Sequence, residues 1–161
     1  KSAVLAPQAV LLPTDFDEYK RLSRAFKAAV RAIAPVVEDR GIDEIYVDLS
    51  ALAGDAADGG RAVAARLQQA VHEATQLSCS IAVAPNKLLA KIGSELDKPR
   101  GLTILHEADL ATRIWPLAAR KINGIGPKAS AKLAELGIHT IGDLAAADPA
   151  LLVERFGRSY G

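Results

Sequence analysis

With 161 residues, half of them hydrophobic and 24% charged, the chain has material for one good core, or for one domain plus a small second module, and too much apolar content for disorder. No apolar run approaches the roughly 18 residues that span a bilayer, so no membrane partner is expected. One cysteine, Cys79, cannot form an internal disulfide, which together with the absence of a visible signal peptide reads as an intracellular, cytoplasmic protein. The net charge of +1 hides an uneven distribution: seven acids against Arg40 alone between Glu38 and Asp58, and four bases with no acid from Arg120 to Lys132. An acidic centre suited to cations and a basic segment suited to phosphates are therefore separated along the chain. There is no methionine, and the Lys-Ser start reads as that of a fragment.

In chain order, residues 1–14 (Val4, Leu5, then Ala9-Val10-Leu11-Leu12-Pro13) predict a short buried strand after a loop. Asp15 and Glu18 have capping-box spacing, and Tyr19, Leu22, Phe26, Val30 and Ile33 recur every three or four residues, predicting an amphipathic helix that Pro35 ends. Gly41 to Ser50 predicts a strand, rich in β-branched and aromatic residues. A soft loop over 53–60 leads into a second helix, from Arg61 to about Thr75, with Val63, Leu67, Ala70, Val71 and Ala74 inward and His72 on its surface. Ser78 to Ala84 alternates as a strand, with Cys79 as a small core residue, and Asn86 caps a helix carrying Leu88, Leu89, Ile92 and Leu96. After the turn Asp97-Lys98-Pro99-Arg100-Gly101, Leu102 to Leu105 is another short strand. Alternating strands and helices predict an α/β or α+β layered domain.

Beyond His106 the pattern becomes short helices punctuated by Gly and Pro: Leu110 to Trp115, Leu117 to Ile122, Lys128 to Leu136, one begun by Thr140, and one opened by Asp148-Pro149 and ended by Gly157. This predicts a compact helical module with its boundary near residue 106.

The most informative run is Gly41-Ile42-Asp43-Glu44-Ile45-Tyr46-Val47-Asp48-Leu49-Ser50. On a regular strand Asp43 would share the core face with Ile45, Val47 and Leu49, an expensive place for an unpaired carboxylate, and Glu44 would point the other way. For the two acids to share a site the backbone must turn there, as at a hairpin tip, which Gly41 permits. A solvated acidic pair at a strand's start is the plain alternative.

Ile122-Asn123-Gly124-Ile125-Gly126-Pro127-Lys128 followed by Ala129, Lys132 and Leu133 has the form of a helix-hairpin-helix. Its glycines let the backbone come close to a phosphate, and the following helix presents free N–H groups and partial positive charge to it. Lys128 and Lys132 add salt-sensitive attraction, and none of these groups reads a base, so the expected partner is DNA bound without sequence preference. Lys98, in a rigid Lys-Pro-x-Gly turn, suits a polyphosphate, with a solvated turn lysine as the plain and more common alternative. Lys87 and Lys91, one helical turn apart, read equally well as a surface stripe.

Together, G-I-D-E-I-Y-V-D-L-S, S-I-A-V-A-P-N-K-L-L-A-K-I, L-D-K-P-R-G-L and I-N-G-I-G-P-K-A-S-A-K-L resemble, in order and spacing, the Y-family (translesion) DNA polymerases, in particular the bacterial polymerase IV branch. The resemblance covers essentially the whole chain. It implies an α+β palm with a mixed or antiparallel sheet over residues 15–105, a helix-hairpin-helix thumb over 106–161, and a remnant of the fingers in 1–14. It implies that Asp43 and Glu44 are two of three metal-binding carboxylates holding two Mg²⁺ ions, that Lys98 contacts the triphosphate of the incoming dNTP, and that Gly124, Gly126 and Lys128 hold the backbone of primer–template DNA. In such two-metal chemistry one ion activates the primer 3′-hydroxyl and the other stabilises the leaving pyrophosphate.

The N-terminal strand with the third carboxylate, most of the fingers, and the domain that follows the thumb have no counterpart here, so the chain by itself is expected to be nearly inactive. A sliding clamp would be met through such missing parts. Gly41 stands where the family usually has Ser, and Asn123 where the hairpin often has Pro. Two rival readings stay open: a non-catalytic DNA-binding module working through the hairpin, and a structural relic whose acids cap a strand.

Overall fold

The computed structural model describes residues 2–52 and 60–157. The loop read at 53–60 lies mostly outside them, as do Asp55 and Asp58. The first helix, α1 (Ser2–Leu5), is a single turn, followed by a tight turn in which Ala9 N–H donates to the Ala6 carbonyl at 3.1 Å, and no further helix or strand forms among the described residues before Phe16. Here the expectation fails: Val10, Leu11 and Leu12 are more than four-fifths exposed, and no strand forms among them. An apolar triplet predicts a buried strand only if something packs on it, and among the described residues nothing does.

Helix α2 (Phe16–Ile33) follows the predicted three- and four-residue spacing from Leu22 onward, while Tyr19, on the same stripe, is exposed. The Asp15 carboxylate accepts from the Glu18 backbone N–H at 3.0 Å, but the other half of the capping box is absent, because Glu18 pairs instead with Arg21. Val30 is buried and Ala34 ends the helix, in line with Pro35. Strands β1 (Val37–Asp39) and β2 (Ile45–Val47) then form an antiparallel hairpin with Val37 opposite Val47 and Asp39 opposite Ile45. The sequence reading missed β1, although Val36-Val37 after a helix-ending proline and before Gly41 carries its signal.

Helix α3 (Arg61–Thr75) packs on α2. It turns Ala64, Leu67, Val71 and Thr75 inward, while Ala74, expected to face the core, is exposed. Thr75 replaces it because its hydroxyl donates to the Val71 carbonyl at 2.7 Å, which satisfies the polar group without water. Strand β3 (Ile81–Val83), helix α4 (Lys87–Leu96) and strand β4 (Leu102–Ile104) make a parallel pair joined by a crossover helix. The Asn86 side chain caps α4, accepting from Leu89 N–H at 2.9 Å. Among the described residues the strands thus form two separate two-stranded sheets, one antiparallel and one parallel.

One core joins α2, α3, the hairpin and β3, with Val30, Leu67 and Val71 at its centre and Cys79 on its edge. Burial pushes the Cys79 thiol up, so it stays protonated and inert, as expected of a core cysteine. Ala82, next to Ile81 on β3, faces the other way, toward α4, where a Cβ on Gly93 would lie 2.9 Å from its own.

After β4 come a 3₁₀ turn (Glu107–Asp109), a π-helical turn (Leu110–Ile114) and a second 3₁₀ turn (Ala119–Lys121) in place of two short α-helices. Helices α5 (Pro127–Glu135), α6 (Ile141–Ala146) and α7 (Pro149–Phe156) follow. Ala119, Leu133 and Ile138 centre a small core there. A larger cluster crosses residue 106: Leu89 and Ile92 of α4 and Leu105 pack with Ile114 and Ile141.

Candidate active site and nucleic-acid interface

Asp43 and Glu44 lie in the bend that connects β1 to β2, not within a strand. Both are exposed, which corrects the core-face placement of Asp43 and supports the hairpin-tip alternative. The reason is local. Gly41 takes φ +133°, a conformation that L side chains rarely adopt, and Arg40 N–H donates to the Glu44 carbonyl at 3.0 Å, closing the turn before the strand register begins at Ile45.

The tip is anchored from below. Lys27 of α2 donates to Asp39 Oδ1 at 2.7 Å and to the Gly41 carbonyl at 2.5 Å, and Gly41 N–H donates to the same carboxylate oxygen at 3.2 Å. These contacts hold the Asp39 carboxyl below its ordinary range, the Lys27 ammonium being the larger cause. No pattern in the sequence singled Lys27 out; its position one turn before Val30 was the only available cue.

Helix α4 meets the same hairpin through its lysines. Lys87 pairs with Glu38 and sits 5.8 Å from the Tyr46 ring centre, while Arg40 lies over that ring at 5.9 Å. Lys91 pairs with Glu44 Oε1 at 2.5 Å and with Glu95 Oε1 at 3.3 Å. Lys98 Nζ reaches Glu95 Oε1 at 2.6 Å. The lysines that read as a possible surface stripe therefore form the contact between α4 and the acidic hairpin. Hydrogen bonding to Glu44 is the main cause that raises the Lys91 pKa, and Lys98 is the main cause that lowers that of Glu95.

Lys91 and Glu95 also line one wall of a cleft of about 430 Å³. Its other wall is Arg120, Lys121 and the turn 122–126. Gly124 has φ +97° and Gly126 is the N-cap of α5, with Pro127 in the first turn. Lys128 is exposed in that same first turn. The structure thus places Lys91 in contact with Glu44 and on the wall of a cleft that Gly124 and Gly126 also line, with Lys98 linked to Lys91 through Glu95. Asp43 stands beside Glu44 at the tip, and Lys128 lies just past the glycine turn.

Among the described residues no group of three or more His, Cys, Asp or Glu side chains could hold a metal ion. Two exposed adjacent carboxylates are nevertheless a fitting partial set for a hard cation, since Mg²⁺ is commonly held by one or two carboxylates plus phosphate and water oxygens. The cation already resting on Glu44, the Lys91 ammonium, shows that this carboxylate accepts positive charge.

The model of the impB/mucB/samB family matches residues 1–95, and that of a SAM-like helix-hairpin-helix tandem matches residues 117–158. The chain belongs to the impB/mucB/samB family, the Y-family of DNA polymerases. It is 40% identical over 153 residues to DNA polymerase IV of Moorella thermoacetica, covering 95% of this chain and 38% of that protein. It is 40% identical over 153 residues to DNA polymerase IV 1 of Bacillus subtilis, covering 94% of this chain and 36% of that protein. The chain therefore spans less than two fifths of the length of these curated relatives. Among solved structures it is similar to DinB from Sulfolobus solfataricus, with a TM-score of 0.86 at 28% identity over 98% of this chain and 46% of that one. An insertion ternary complex of Dbh DNA polymerase gives a TM-score of 0.87 at 27% identity, covering 98% of this chain and 46% of that one. The Y-family fold expected from the four motifs is the fold observed, helix-hairpin-helix included. No helix of the described residues is long and apolar enough to cross a membrane.

Proposed function

We propose that this chain is the palm-and-thumb portion of a translesion DNA polymerase, with residues 15–105 as palm and 106–161 as thumb, working on primer–template DNA and an incoming dNTP. The observation that carries the reading is the convergence on Lys91: one side chain touches Glu44 at the acidic tip and lines the cleft opposite the Gly124–Gly126 turn. A catalytic carboxylate and a phosphate-binding turn must lie on one DNA path, and here a single helix borders both.

Asp43 and Glu44 are the chain's own ligands for Mg²⁺, which when bound would polarise the reacting phosphate and its attacking and leaving oxygens. The anchored hairpin tip holds the two carboxylates in place, so that little ordering remains to be done on binding. The backbone N–H groups at the start of α5 and the ammonium of Lys128 hold a DNA phosphate without reading bases. Lys98 offsets the negative charge of the dNTP triphosphate.

Fluorescence anisotropy with labelled primer–template DNA tests the reading. Binding is expected to weaken as salt rises, with Lys128→Ala reducing the slope of log K against log[salt] by about 1 for the lost phosphate contact. Mn²⁺ titration of the same protein is expected to lose its site in Asp43→Asn and Glu44→Gln. Salt-independent DNA binding, or Mn²⁺ affinity unchanged by both substitutions, would overturn the assignment.

A further inference from the structure

Lys91 has two acidic partners and one open side. Its ammonium, with three donors, reaches Glu44 Oε1 at 2.5 Å and Glu95 Oε1 at 3.3 Å, and the same side chain borders the cleft facing Arg120 and Lys121. Glu95 in turn holds Lys98 at 2.6 Å. These four residues form one alternating row, Glu44–Lys91–Glu95–Lys98, that starts at a metal carboxylate and ends at a triphosphate lysine. The row contains two acids and two bases, and Glu95 is shared by both lysines. Any cation that takes Glu44 repels Lys91 along this row, because a dication interacts with the carboxylate more strongly than an ammonium does at similar distance and opposes the ammonium itself.

We propose that Lys91 is a positioning residue that holds Glu44 in the metal-free protein and is released toward Glu95 and the cleft when a divalent cation binds at Asp43–Glu44. This rests on the reading of Asp43 and Glu44 as metal ligands. Released Lys91 moves in on the Glu95 oxygen that it already shares with Lys98, from its present 3.3 Å, which loosens Lys98 from that carboxylate, and it turns more of its positive charge to the cleft wall opposite Gly124 and Gly126. Cation binding at the tip therefore strengthens phosphate binding at two places that the cation does not touch. The coupling is reciprocal: DNA in the cleft draws Lys91 off Glu44 and tightens the cation.

Mn²⁺ titration followed by electron paramagnetic resonance, on the wild-type chain, Lys91→Met, Lys91→Arg, Glu95→Gln and Glu44→Gln, separates the possibilities. Lys91→Met is expected to tighten Mn²⁺ about two- to fivefold, the span of a part-exposed ion pair, because the competing ammonium is gone. Glu95→Gln is expected to weaken it, since Lys91 then has only Glu44. Lys91→Arg is expected to stay closer to wild type than Lys91→Met does. The opposite signs of Lys91→Met and Glu95→Gln are what a merely structural role would not give, since loss of packing weakens both. With DNA, Mn²⁺ is expected to raise affinity in the wild type more than in Lys91→Met. Mn²⁺ binding that Glu44→Gln abolishes but Lys91→Met leaves unchanged or weakens would overturn this proposal alone. Absence of Mn²⁺ binding sensitive to Glu44→Gln would overturn it together with the metal reading.

Discussion

The Lys27 ammonium bonds to the Asp39 carboxylate at 2.7 Å from a side chain only 12% exposed, so a residue of α2 reaches across to the end of β1. Because Lys27 also takes the Gly41 carbonyl, the bend carrying Asp43 and Glu44 is tied to the 18-residue helix α2. A hairpin whose tip is fixed at a helix can present carboxylates at a repeatable position. A free tip would have to be ordered by its ligand.

Lys27→Met keeps the apolar stem of the side chain and removes only the ammonium. Faster amide exchange is expected at residues 40–44, with exchange in α3 and α5 unchanged. Mn²⁺ affinity is expected to fall, since the tip must then be ordered on binding. Unchanged protection at the tip would show that the turn is held by its own backbone bond alone.

Ile114 is 1% exposed and packs with Leu89, Ile92, Leu105 and Ile141, on both sides of residue 106. Ile114→Ala is expected to cost about 2–5 kcal/mol by cavity formation. Urea unfolding followed separately by Trp115 fluorescence and by far-ultraviolet dichroism is expected to shift as one transition in the variant. Two separated transitions in the wild type would mean that the halves fold independently.

At φ +97°, with open space around its Cα, Gly124 accepts a methyl group sterically but not conformationally. Gly124→Ala is expected to cost about 1–3 kcal/mol of stability through backbone strain and to weaken DNA binding through the distorted turn. A variant with wild-type stability and wild-type DNA affinity would remove the turn from the proposed interface.

Asp143 closes the capping box of α6: its carboxylate accepts from His139 and Thr140 N–H at 3.0 and 2.8 Å, and the Thr140 hydroxyl accepts from Asp143 N–H. These donors, Thr140 N–H first, hold its carboxyl below the ordinary aspartate range. A depressed carboxyl stabilises the fold fully above its unfolded pKa and loses that effect as pH falls through the lower folded value. The Asp143→Asn variant is therefore expected to melt below wild type at neutral pH, with the gap closing on acidification below the normal aspartate range. A gap independent of pH would mean that the charge contributes nothing to the cap.

How far the sequence could be read follows from how local each signal was. Helices α2, α4 and α5 were legible because caps and breakers flank them: Asp15 and Pro35, Asn86, Pro127 and Gly137. The Gly124–Gly126 turn was legible for the same reason, since glycine marks where backbone geometry is unusual, whereas the run from Gly41 read as a strand and the bend there entered only as an alternative. The ties between distant segments were not legible. Lys27 with Asp39, and Lys91 with Glu44, join residues far apart in the chain, and periodicity carries nothing about which faces meet. The burial expected at Val10–Leu12 failed on the same ground, because apolar character gives a tendency and the partner that would satisfy it is a tertiary fact.

The cluster around Ile114 has a mechanical consequence. Since α4 and the segment before the glycine turn are packed into one core, the walls of the cleft cannot part without tearing that core open. The gap between them behaves as a fixed gauge, set when the chain folds. A ligand entering it would have to conform to that gauge.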